Sequence, residues 1–89
     1  MKNTTAWLGK GCAFAQLGQM REALQCFDEA LAIEPQNPDV WSKKGSVLCA
    51  FGQLHEALDC FDRALAINPS DRSVQSSRQA VLEKLGRLQ

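Results

Sequence analysis

Residues 22–35 read EALQCFDEALAIEP, and residues 56–69 read EALDCFDRALAINP. The first stretch starts at Glu22 and the second at Glu56, and this offset of 34 positions holds beyond them. Trp7 pairs with Trp41, Lys10 with Lys44, Gly11 with Gly45, Gly18 with Gly52, and Gln19 with Gln53. Aligned over 4–37 and 38–71, the halves share 16 of 34 positions, 5 before the quoted stretch and 11 within it. Chance at roughly one match in twenty gives about two, so the chain carries an internal repeat, and repeats of this length stack side by side.

Each repeat predicts two helices. Trp7, Gly11, Phe14 and Leu17 recur at helical spacing. They predict a first helix over 5–17, capped by Thr4 or Thr5 and ended by Gly18. Ala23, Leu24, Phe27, Ala30 and Leu31 mark the buried face of a second, over 20–33, with Pro35 beyond its end. Asn37-Pro38 opens a third helix, whose stripe is Trp41, Gly45, Leu48 and Phe51. A fourth runs over 54–67, with Ala57, Leu58, Phe61, Ala64 and Leu65 inward. Ser70 or Asp71 caps a fifth over 72–86, where Val74, Val81, Leu82, Leu85 and Leu88 form one apolar stripe. Leu85-Gly86 keeps the register of Leu17-Gly18 and Phe51-Gly52, so this helix is the first half of a third repeat, without its Trp and without its partner.

The bulk numbers set limits. A chain of 89 residues allows one domain with a small core. Net charge is zero but uneven. Residues 4–37 and 38–71 each carry −2, and residues 72–89 carry +3. The basic residues of the fifth helix scatter around its axis, which argues against nucleic acid as partner. No apolar run approaches the roughly 18–20 residues of a membrane span, and no signal core follows Met1. The expectation is a cytoplasmic protein, or a piece of a longer one. Cys12, Cys26, Cys49 and Cys60 form no C-x-x-C pair, and His55 is the single histidine. Small buried thiols explain the recurrence of Cys26 and Cys60. No metal or cofactor is expected. A nucleophile lacks an adjacent base, and Gly9 and Gly11 fall inside a helix rather than in a phosphate loop. No catalysis is expected.

This pattern resembles the tetratricopeptide repeat (TPR) family. The residues that carry the resemblance are Trp7, Gly11, Phe14, Gly18, Ala23, Phe27, Ala30 and Pro35, then Trp41, Gly45, Leu48, Gly52, Ala57, Phe61, Ala64 and Pro69. The resemblance implies an all-α fold, a right-handed α-solenoid of antiparallel hairpins. Its repeats would span 4–37 and 38–71, with a capping helix over 72–88. The small Gly11, Ala23 and Ala30 would let the paired helices approach closely.

The resemblance further implies a non-catalytic interaction module that binds a protein or peptide segment on a concave face. Transferred position by position, that face comprises Thr5, Leu8, Cys12, Ala15 and Gln16. It continues through Asp39, Ser42, Lys43, Ser46, Cys49 and Ala50, then Ser73, Ser76, Ser77 and Ala80. One class of the family clamps the C-terminal carboxylate of chaperones. At the matching places this chain has Leu8, Cys12, Lys43, Ser73 and Ser77, so no such clamp is expected. The family often has Leu before its first Gly; here Lys10, Lys44 and Arg78 stand there. They are read either as stems lying on apolar surface or as a basic ladder for an acidic peptide or phosphate. The alternative function is self-association into a homo-oligomer through the terminal helices, since two full repeats fall below the three that solenoids usually need.

Overall fold

A computed structural model describes residues 3–87. Its elements are α1 (Thr4–Gln16), α2 (Met20–Ile33), α3 (Pro38–Ala50), α4 (Leu54–Ile67) and α5 (Arg72–Arg87). The described residues are all helix and short turn, as the repeat predicts. Leu88, expected in the fifth stripe, lies outside them.

The helix ends follow local chemistry. Asn3, not Thr4 or Thr5, caps α1: the backbone N–H of Ala6 donates to Asn3 Oδ1 at 3.0 Å. Thr4 already lies inside the helix and is buried. Asn37 caps α3 by accepting from the N–H groups of Asp39 and Val40. Asp71, the second of the two candidates, caps α5 by accepting from Val74. Gly18 and Gly52 adopt φ of 80° and 83°, a left-handed conformation that costs glycine little. There Gln19 N–H donates to Phe14 O and Gln53 N–H to Leu48 O, both at 2.9 Å. These bonds satisfy carbonyls that the helix end would leave open.

Within each hairpin the helices touch where glycine faces phenylalanine. A Cβ on Gly11 would stand 2.5 Å from Phe27 Cε1, and one on Gly45 would stand 2.7 Å from Phe61 Cε1. Either distance is far inside carbon contact range. Phe27 and Phe61 are buried, as are Ala23, Ala30, Ala57 and Ala64. The predicted stripes end differently, however. Leu17 is 72% exposed and Phe51 46% exposed. Ten positions beyond Trp7 or Trp41, each sits ~80° off the centre of its stripe. Each also caps its helix, where the chain turns away.

A second buried face, not anticipated from the stripes, joins the repeats. Val40 and Val47 on α3 are buried, and α3 packs on both α2 and α4. On α5, Val74 and Val81 are buried and Leu82 and Leu85 half-buried. The described part of the fifth stripe is therefore turned onto the body, although no second helix follows it among the described residues. Among the described residues each joint carries one ion pair, Lys44 Nζ to Asp28 Oδ1 at 2.8 Å and Arg78 Nε to Asp62 Oδ1. Acid and base both recur one repeat on. With both partners partly exposed, each pair contributes about 1 kcal/mol at most. Leu24 packs against the cores of both repeats.

Cys26 and Cys60 are buried, while Cys12 and Cys49 are half-buried. Burial pushes the Cys60 thiol above its ordinary value of 9.0, with Lys44 pulling the other way. The folded thiol thus holds its proton more tightly than the unfolded one. Its contribution to stability is complete below pH 9.0 and is lost as pH rises beyond it.

This packing predicts unequal costs at neighbouring glycines. In urea titrations, Gly11→Ala and Gly45→Ala should each cost about 1–3 kcal/mol by overpacking. Gly9→Ala, on the same helix with nothing within 4 Å of its new Cβ, should gain about 0.5–1 kcal/mol. Equal effects at Gly9 and Gly11 would contradict the close approach. Under native alkylation with mass mapping, Cys12 and Cys49 should react first, and Cys26 and Cys60 only through unfolding. Cys60 labelling as fast as Cys49 would place it outside the core.

Candidate functional site

α1 touches α3, and α3 touches α5, while α2 and α4 do not meet. The first helices of the repeats therefore crowd together and the second helices splay. The side of the array formed by α1, α3 and α5, away from α2 and α4, is the expected trough. Trough positions follow from the angle about each helix axis: on α1, Leu8, Cys12 and Thr5 lie ~100–160° around from Trp7.

The structure gathers six of the expected residues into one cleft of about 230 Å³ between α3 and α5: Asp39, Ser42, Lys43, Ser46, Ser73 and Ser77. Phe61, Val74 and Asp71 complete its lining. Three of these serines donate their hydroxyl hydrogens to their own helices. Ser42 bonds to Asp39 O at 2.9 Å, Ser46 to Ser42 O and Ser77 to Ser73 O at 3.1 Å. Their oxygens keep lone pairs, so the cleft offers acceptors to a visiting donor.

Cys49 and Ala50 line a second cleft, of about 320 Å³, with Gly52, Leu54, Lys84 and Arg87. Lys84 Nζ lies 3.7 Å from Cys49 Sγ. The other expected residues divide. Leu8, Cys12 and Ala15 are half-buried against the first core, and Thr5, Gln16, Ser76 and Ala80 are exposed. Three charged lining residues were missed. Asp71 was read only as a cap. Lys84 stands one repeat after Ala50 and two after Gln16, so extending the transfer by one step would have found it. Arg87 follows one turn along the same helix face.

The basic ladder is engaged within the chain. Lys44 and Arg78 pair with the aspartates of the joints. Lys10 Nζ lies 5.3 Å from the Trp7 ring centre, and Lys44 Nζ 5.6 Å from that of Trp41. Both ammonium groups thus stand over an indole ring. Arg63 also covers Trp41, at 5.0 Å. Glu29 occupies the equivalent place in the first repeat, where a cleft of about 330 Å³ opens beside Trp7, Lys10 and Phe14. His55 is exposed in the first turn of α4. Among the described residues no group of three His, Cys, Asp or Glu side chains is placed to hold a metal. None of the described helices is long and apolar enough to cross a membrane.

A family model described as tetratricopeptide repeat matches residues 14–81. No curated protein sequence matches the chain. Among solved structures, that of MamA protein superposes with a TM-score of 0.91 at 20% identity, over 96% of this chain and 46% of that one. The first TPR of Spaghetti (RPAP3), bound to the HSP90 peptide SRMEEVD, gives 0.91 at 19% identity, over 96% of this chain and 68% of that one. The second TPR of the same protein, bound to the same peptide, gives 0.90 at 18%, over 96% and 79%. At these identities the likeness is one of fold, and the chain spans about half the length of the MamA structure it matches. Two hairpins in tandem, closed by glycine against phenylalanine and matched by the family model over most of their length, make this chain a member of the tetratricopeptide repeat family, whose fold serves protein–protein interaction.

Proposed function

We propose that the chain is a non-catalytic scaffold that takes a partner segment along the trough of α1, α3 and α5. The observation that carries this reading is the serine cleft. Six small or polar side chains from two helices converge there over Phe61 and Val74. Small walls admit a backbone closely, and the hydroxyl oxygens accept hydrogen bonds from it. The RPAP3 domains, similar in fold, are bound to a peptide, which supports a peptide as the class of partner. A chaperone tail is not the partner here. Leu8, Cys12, Ser73 and Ser77 bring no charge to the clamp positions, which leaves Lys43 alone among them.

Self-association is the second reading. It is favoured by Leu17 and Phe51, large apolar side chains exposed at equivalent places in the two repeats. Light scattering over a range of concentrations separates the two, since a trough free for a partner predicts a monomer.

Dodecapeptides selected against the chain should shift the amide resonances of Ser42, Ser46, Ser73 and Ser77. Ser46→Arg should weaken them by about tenfold or more, because a long side chain would fill the cleft. Binding that shifts only α2 and α4 and ignores Ser46→Arg would contradict the proposal. SRMEEVD should not bind at micromolar concentration.

A further inference from the structure

Resting on the trough as the partner-binding face, we propose that the cleft of Lys84 and Arg87 is a subsite for the side-chain carboxylate of an acidic partner segment. Three observations carry it. First, Lys84 occupies the trough position that Gln16 and Ala50 hold on the earlier helices, and it lines the cleft with Arg87. Second, the fold does not require charge there. One repeat earlier the equivalent residues are Ala50 and Gln53, and that joint forms without them. Third, the cleft opens beside the first turn of α4, whose cap Gln53 supplies no side-chain acceptor. The open N–H groups of that helix end add to the two cations, with Glu56 in the same turn setting one negative charge against them.

The ordinary role of such residues is to offset the negative end of their own helix. Lys84 and Arg87 do stand in the last turn of α5, whereas α1, α2, α3 and α4 end without a basic residue. That role asks nothing of the surroundings. Here the cations converge with Ala50 and Leu54, so the site suits a carboxylate carried next to an apolar group. A polyanion is disfavoured, because the exposed Glu83 adjoins Lys84 and residues 38–71 carry a net −2.

The subsite also sets a spacing. Asp39, at the serine cleft, and Ala50, at the cation cleft, stand near opposite ends of α3. Between them lies about 16 Å of helix, which about five extended residues span. A segment in the serine cleft would thus place its acidic residue near Lys84 about five residues away. The clamp positions Lys43, Ser73 and Ser77 lie elsewhere, in the serine cleft, so the carboxylate read here is that of a side chain rather than of a chain end.

The test uses C-terminally amidated heptapeptides in which each position in turn is Glu, Gln or Lys, measured against the whole chain. The expected result is that the best binders carry Glu near one end and lose about tenfold when it becomes Gln. Those binders should slow alkylation of Cys49 more than that of Cys12. Lys84→Glu with Arg87→Glu, both exposed positions, should keep its helical content and reverse the preference from Glu to Lys. Lys84→Gln with Arg87→Gln should abolish the preference. Binding through Ser46 with no Glu preference, or a preference that survives both variants, would overturn the subsite and leave the trough standing. No binding by any heptapeptide would overturn both.

Discussion

The structure depends on two phenylalanine rings that lie where a neighbouring side chain would begin. Phe27 and Phe61 press against Gly11 and Gly45 so closely that a single Cβ would collide with the ring. This sets how near the paired helices come and brings the alanines of α2 and α4 into the same interface. With so little bulk between the helices, burial must come from the aromatics around the glycine. A short chain gains from this, because dense packing supplies dispersion contacts that a looser hairpin lacks.

The hairpin contact alone does not make an array. The valines of α3 and α5 supply the second surface, and the Lys44–Asp28 and Arg78–Asp62 pairs repeat at each joint. These pairs contribute little energy. α5 shows the division of roles. It keeps the joint valines but carries Gln79 where Gly11 and Gly45 stand and Gln75 where the Trp stands. Gln75 Nε2 donates to the Pro69 carbonyl at 2.7 Å, as Trp41 Nε1 donates to that of Pro35 at 2.8 Å. The loop contact survives without the ring, whereas the close approach that needs glycine is lost at Gln79. The expected trough lies on the side where the first helices of successive repeats touch one another, while the second helices do not meet.

Much of the fold was legible because the period fixes position and because each helix announces one face. α2 and α4 run over the residues their stripes predicted, bounded by proline and by the glycine turn. What escaped notice was tertiary. Val40 and Val47 lie off the main stripe, and only docking against α2 makes them core. Leu17 and Phe51 looked like stripe residues but fall past the last turn. Asn3 outcompeted two threonines, since the carboxamide reaches the Ala6 N–H from one residue further out. For the site, the periodic transfer placed the serine cleft residues on one surface but stopped at Ala80, one turn short of Lys84. Which of those residues share a cleft depends on how α3 and α5 cross, and no single-helix pattern carries that.

The central claim, that ring against glycine sets the hairpin, is tested most directly by a double-mutant cycle on Gly11→Ala and Phe27→Leu, read by urea unfolding. If the added methyl collides with the ring, a smaller side chain at 27 relieves it. The cost of Gly11→Ala should then fall by about 1 kcal/mol or more in the Phe27→Leu background. Costs that add within about 0.3 kcal/mol would mean that the two residues do not sense each other, and that the hairpin is held by something else.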